Sequence, residues 1–155
     1  MKFAKWICLA LAACLLGGCG AAVAPTTQLA NPWKDYETLQ QAEEAVGFAL
    51  GLPLESSDGW SATQFRAMND QLLEVIFHRG DSKLTLRKAA GSEDISGDYT
   101  QYETVTIAEY TNGSATIRED KSVLVFAEEY SWSVYCAEGM SEQEIQSWIE
   151  SILKA

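Results

Sequence analysis

The chain has 155 residues, enough for one domain with a substantial hydrophobic core. Its 22 acidic residues outnumber 11 basic ones, which leaves a net charge of −11 at neutral pH. That balance repels nucleic-acid phosphates and anionic lipid headgroups, so both are poor partners.

Lys2 and Lys5 open the chain with positive charge. Ile7 to Leu16 is then apolar throughout, with Cys8 and Cys14 acting as small hydrophobes. The run suits the hydrophobic stretch of a secretion signal and is about half the roughly 20 residues that a spanning helix needs. Leu16-Gly17-Gly18-Cys19 follows, and it resembles the lipobox of bacterial lipoproteins. The resemblance implies cleavage after Gly18 and a diacylglyceryl thioether, a palmitate-type lipid, on Cys19. Two acyl chains anchor stably where one is marginal, so the expected address is the extracytoplasmic face of the cell membrane. A secretion signal cut after Ala22 or Ala24 is the alternative, and it would release the protein.

The expected organisation is a signal peptide over residues 1–18, a lipidated cysteine with a flexible tether over 19–31, and a single domain over 32–155. Cys8 and Cys14 leave with the signal and Cys19 is taken by the lipid. Cys136 then stands alone, so no intramolecular disulfide and no CxxC metal site is expected.

Thr38-Leu39-Gln40-Gln41 fits a capping box, with Gln41 reaching back to Thr38. Leu39, Ala42, Val46, Ala49 and Leu50 recur at helical spacing, so a helix is expected from Leu39 to Val46 or Leu50. Strand-like runs follow: Trp60 to Met68, Leu72 to His78, Lys83 to Lys88, Thr104 to Tyr110, Ser114 to Arg118, Ser122 to Glu128 and Tyr130 to Ala137. The expected inward residues are Val105 and Ile107, then Ala115 and Ile117. Asn112-Gly113 signals a hairpin turn of the primed kind. Gly91 to Asp98 is acidic and aperiodic, and reads as the longest loop. Ser141-Glu142-Gln143-Glu144 is a second capping box. Behind it, Ile145, Trp148, Ile149, Ile152 and Leu153 mark the strongest amphipathic helix, which should lie against Trp132 and Val134.

Short turns between successive strands favour antiparallel neighbours. The expected fold class is therefore α+β: an antiparallel meander sheet of about six strands, with an N-terminal and a C-terminal helix packed on one face. Thr104, Thr106, Ser131, Ser133 and Tyr135 should line the opposite, polar face.

Ala30-Asn31-Pro32-Trp33, Ala42 to Phe48 and Leu52-Pro53 are similar to a family of bacterial lipoproteins of unknown function. Glu74 to Phe77, Leu84 to Ala89, Glu93 to Tyr99 and Glu138 to Ser141 fit the same pattern. Related domains form the extracytoplasmic C-terminal part of some membrane anti-sigma factors. The resemblance spans the mature domain and implies an α+β fold with a non-catalytic binding or sensory role. It carries no active site. The anti-sigma arrangement also includes a transmembrane helix and a cytoplasmic domain, neither of which is read here.

Several residues invite a chemical reading, and each has a plainer one. His78, the one histidine, has no partner for a metal pair and no signalled nucleophile, and reads as an exposed strand residue. Arg79-Gly80-Asp81 is an adhesion-like tripeptide, but a hairpin tip needs its glycine regardless. Glu93, Asp94 and Asp98 offer carboxylate oxygens of the kind a hard cation takes, yet their spacing fits no calcium loop and reads as a solvated acidic loop. Trp132 and Trp148 should fill the core, which leaves Trp33 and Trp60 as candidates for an exposed binding surface. Cys136 should be a buried, inert thiol.

No catalytic residue, cofactor or metal site is expected. The first functional expectation is a membrane-anchored lipoprotein with a non-catalytic domain for a protein, peptide or small ligand. The second is a regulatory interaction module related to the anti-sigma domains. The third is a hydrolase using paired carboxylates.

Overall fold

The computed structural model describes residues 31–155. Cys19, the signal segment and residues 20–30 of the tether lie outside the described residues. Strand β1 (Trp33–Tyr36) and helix α1 (Leu39–Val46) precede β2 (Ser61–Met68), β3 (Leu72–Arg79) and β4 (Ser82–Ala90). Then come β5 (Val105–Tyr110), β6 (Gly113–Arg118), β7 (Val123–Ala127), β8 (Tyr130–Cys136) and helix α2 (Glu142–Ile152). Among the described residues no helix is long and apolar enough to cross a membrane.

All strands join one antiparallel sheet in the order β1-β2-β3-β4-β8-β7-β6-β5. The fold is α+β, and the sheet has eight strands rather than about six. It is two four-stranded meanders, β1 to β4 and β5 to β8, joined where β4 pairs with β8. The chain therefore leaves β4 near the centre and crosses to the far edge before starting β5. Residues 91–104 make that crossing as a strap without regular structure. Seven of the strands match the strand-like runs of the sequence; the eighth, β1, is four residues long and carries Lys34 and Asp35 in its middle, too short and polar to announce itself.

The hydrophobic core lies on one side of the sheet. Leu73, Val75 and Phe77 of β3, Leu84 and Leu86 of β4, and Trp132, Val134 and Cys136 of β8 form a single cluster with Ala42 of α1. Ile145, Trp148, Ile149 and Ile152 of α2 enter the same cluster. The Trp148 ring meets Phe77 edge-on, with centroids 5.3 Å apart. Each such large side chain contributes about 1.5–3 kcal/mol by leaving water. Lys88 intrudes on this apolar side. Its Nζ donates to the carbonyls of Ala49 (2.7 Å) and Leu50 (3.3 Å). Tyr130 and Trp132 present their rings to the same ammonium. Burial pulls the Lys88 pKa down against the opposing charges of Glu43 and Glu128.

The helix ends explain where the helices begin. Thr38 Oγ1 accepts the Gln41 N–H, as capping requires. Gln41 Oε1, however, takes the N–H of Glu37 rather than that of Thr38, so the first box is only half formed. Gly47 stops α1 in the left-handed conformation at φ 79°. The second box closes fully: Ser141 Oγ accepts from Glu144 N–H, and Glu144 Oε2 accepts from Ser141 N–H. These bonds, with Arg79 adding to them, hold the Glu144 carboxyl down at about 2.

Two local expectations fail. Val105 and Ile107 face away from the helices and are 49% and 64% exposed. Paired residues share a face, and they pair with Arg118 and Thr116 while Ala115 and Ile117 point into the core. Thr106, opposite Ile117, is consequently on the helix side and not on the polar face. The alternation of β5 was legible, but its phase was set by its neighbour. The β5–β6 hairpin forms where Asn112-Gly113 signals it, with Tyr110 opposite Gly113, but the primed turn is elsewhere. Asn69 (φ 53°) and Asp70 (φ 54°) are its left-handed pair, closed by Gln71 N–H to Met68 O at 3.1 Å. Asn112 is not left-handed, and Gly113 serves by being small. A Cβ there would stand 2.0 Å from the Phe126 carbonyl oxygen across the β6–β7 pair. Gly113→Ala is therefore expected to cost about 1–3 kcal/mol, read as a lower urea midpoint. Gly139→Ala, where nothing crowds the added carbon, serves as the comparison for positive-φ strain alone.

Candidate functional site

The cross-strand registers align one residue from each strand on the side away from the helices. The row runs Asp35, Arg66, Glu74, Arg87, Ser133, Leu124, Thr116, Ile107 from edge to edge. Its centre is ionic. Glu74 is fully buried and lies between two arginines on neighbouring strands. Arg66 Nε donates to Oε1 at 2.8 Å and Arg87 Nε donates to Oε2 at 2.8 Å. Trp33 lays its ring beside both guanidinium groups, 4.9 Å and 5.4 Å from its centroid.

The strap covers this row. Arg87 Nη1 donates to the backbone carbonyls of Ser96 and Ile95. Arg118, itself almost buried, ion-pairs with Asp94 and donates to Ser96 Oγ at 3.1 Å. Asp98 lies 3.9 Å from the same guanidinium. Ser131 Oγ reaches the Gly91 carbonyl at 2.7 Å. Further along, the Tyr102 hydroxyl sits between Asp98 and Asp120. Gly97 passes so close to Arg87 that a Cβ would come within 2.8 Å of Nη1.

These contacts shift the protonation of the groups that make them. The hydrogen bond from Tyr102, helped by Thr100, holds Asp98 at about 2. For Asp94, burial pushes upward, but the Ser96 bonds and Arg118 outweigh it and the pKa falls. Asp120 behaves likewise through Ser122 and Tyr102. The Tyr102 phenol is driven up by Asp98 first and Asp120 second. Asp94 and Asp98 of the strap, with Asp120 beside it, are thus ionised near pH 7 and committed to a partner.

Beneath the strap remains a cleft of about 550 Å³. Lys83, Thr85 and Arg87 of β4 and Ser133 and Tyr135 of β8 form its floor, and Tyr102 and Asp120 lie on its far side. Ser133 is only 3% exposed, and its hydroxyl makes no hydrogen bond with any described residue. A second groove, on the other side of Gly97, is lined by Trp33, Phe48, Met68, Ile95 and Tyr99.

The residues singled out in the sequence are placed as follows. Trp33 borders a groove, but Trp60 is buried in the core under the Arg79 guanidinium. It follows β-turn residues in sequence, yet the segment before β2 folds inward to close the core. Arg79 is spent on Trp60 and on Glu144 (2.5 Å). His78 is exposed, with Nδ1 2.9 Å from Thr63 Oγ1. Burial raises the Cys136 thiol pKa, as does its bond to Glu138. Asp94 and Asp98 turn toward Arg118 instead of converging on a cation position, and among the described residues no cluster of His, Cys, Asp or Glu has the makings of a metal site. Sequence reading missed Arg66, Glu74, Arg87 and Arg118. The available signal was a lone glutamate inside the apolar run Leu72 to Phe77, because a charge there must find a partner. No protein-family model, no curated protein and no solved structure matches the chain.

Two measurements test this geometry. Arg87→Ala leaves Glu74 half-paired in a dry site and is expected to cost about 3 kcal/mol in urea unfolding. Replacing Arg66, Glu74 and Arg87 together by methionine or leucine is expected to cost far less. The strap also responds to acid. Asp94 and Asp98 have lowered pKa values in the fold, so their support is complete above the unfolded value near 4 and is lost as pH falls through about 2 for Asp98. Amide spectra of Ser96 and Gly97 are expected to change between about pH 4 and 2 before those of β3 and β8 do.

Proposed function

We propose that the protein is a lipoprotein of the extracytoplasmic face whose domain binds a small polar ligand, without chemistry, in the cleft between strap and sheet. The observation that carries the ligand reading is Ser133: a nearly buried serine on a rigid central strand whose hydroxyl has no partner among the described residues and opens on a cleft of ligand size. Sites on strands hold their groups more precisely than sites on loops. The absence of chemistry is supported by the carboxylates. Asp98 and Asp120 both face Tyr102 and both have lowered pKa values, so neither is poised to donate a proton near pH 7. A hydrolase using them has little support. The anchor is supported by Leu16-Gly17-Gly18-Cys19 and by the likeness to bacterial lipoproteins read from the sequence.

A regulatory interaction module is the second reading, and β5 favours it. This strand ends the sheet and carries Val105 and Ile107 outward, which is the kind of edge on which another chain adds a strand.

The two halves of the proposal are tested separately. Mass spectrometry of the native protein is expected to find a lipid-modified N-terminal cysteine at Cys19; an unmodified thiol there ends the anchoring reading. For the domain, an NMR screen of small polar compounds is expected to move the amides of Arg87, Ser133 and Tyr135 together. Shifts confined to β5 would move the conclusion to the interaction module.

A further inference from the structure

Taking the cleft as the binding site, we infer that its ligand is a small oxyanion, a molecule presenting a carboxylate or a phosphate group. The argument rests on which polar groups in the cleft are already spent. Its carboxylates are: Glu74 on Arg66 and Arg87, Asp98 on Tyr102 and the Thr100 N–H, and Asp120 on Ser122 and Tyr102. Its donors on the sheet floor are not. Lys83, Thr85, Ser133 and Tyr135 line the cleft, and their side chains make no hydrogen bond or ion pair with any described residue. The register brings them together. Thr85 pairs with Tyr135 and Arg87 with Ser133, side by side on one face, and Lys83 is two residues from Thr85 on that same face. A cationic amine and three hydroxyls on adjacent strands present donors to one volume, and the group that satisfies several donors and a positive charge at once is an oxyanion.

The strap points the same way. Where it touches the floor, it offers Arg87 the carbonyl oxygens of Ile95 and Ser96, and nearby it offers Arg118 the carboxylates of Asp94 and Asp98. The face already selects oxygen acceptors from its own chain. The Tyr102 and Tyr135 rings add apolar surface for the body of an organic acid. The chain's net negative charge works against large polyanions and leaves a small one.

The experiment is an NMR titration of the intact protein with four probes: succinate, inorganic phosphate, glucose and putrescine. Saturable shifts of the Arg87, Ser133 and Tyr135 amides with succinate or phosphate are expected, and which of the two binds identifies the group. Lys83→Gln is expected to weaken that binding about tenfold, and Ser133→Ala about threefold or more. Lys83 is on the surface, so its substitution leaves the thermal midpoint unchanged. Anion shifts that persist unaltered in both variants overturn the inference. Saturation by glucose or putrescine, with neither anion binding, overturns it while leaving the cleft a binding site. Saturation by none of the four at those amides overturns the inference, and counts against the cleft itself.

Discussion

Arg87 is the side chain on which both the sheet and its cover depend. One guanidinium holds the buried Glu74, stacks beside Trp33 and accepts the weight of the strap through two backbone carbonyls. The planar fork of arginine is what allows this, since its donors point in several fixed directions at once. A lysine at this position would supply one point charge and satisfy either Glu74 or the strap. Glu74 in turn is tolerable only because two such forks reach it. A lone carboxylate in that position would have to give up its charge or unfold its surroundings.

This arrangement answers a problem that the topology creates. A sheet with helices on one side has another side to protect, and β3 is buried along both faces from Leu72 to Phe77. The chain meets the need with the crossing from β4 to β5. A connection that must travel to the far edge anyway is laid across the bare face, and the arginines that project from that face hold it down. An irregular segment over a sheet brings backbone groups that need partners. Ile95 and Ser96 find theirs in Arg87, and Gly91 finds one in Ser131. The strap, the ionic row and the cleft are therefore one construction. The cleft is the space left where the strap stands clear of β4 and β8.

Much of this was legible from local pattern, and the part that was not depended on partners far away in sequence. Both helices start at Thr38 and Ser141 because capping acts within four residues. The alternation of β8 placed Trp132 and Val134 on one face and Ser133 and Tyr135 on the other, as the sheet has them. The phase of β5 escaped because two possible faces of a half-polar edge strand differ only in what lies behind them. The joining of β4 to β8 escaped for a related reason. Adjacent turns announce adjacent pairs, whereas a pairing across forty residues or more leaves no local mark. The acidic loop stands out for its charges, but their meaning lies in Arg118, and that of its backbone in Arg87, each of which reads alone as an ordinary strand arginine.

The distribution of positive charge shows why composition describes the exterior of this protein better than its site. Nine basic residues lie among the described positions, and four of them, Arg66, Lys83, Arg87 and Arg118, border the cleft. Lys88 is buried among rings on the opposite face, and Arg79 covers Trp60. Arg66, Arg87, Lys88 and Arg118 are thus drawn into the structure, where burial and fixed geometry strengthen each contact they make. Glu74 is buried with its arginines, whereas most of the acids outside the strap and its floor face water. A distant charged partner senses their sum, which is negative and is screened beyond about 8 Å at physiological salt. The carboxylates that line the cleft are held by arginines, Tyr102 and Ser122, which leaves the Lys83 ammonium as the cation without a partner among the described residues there. A net negative charge over the whole chain is therefore compatible with a local gathering of basic residues at the cleft.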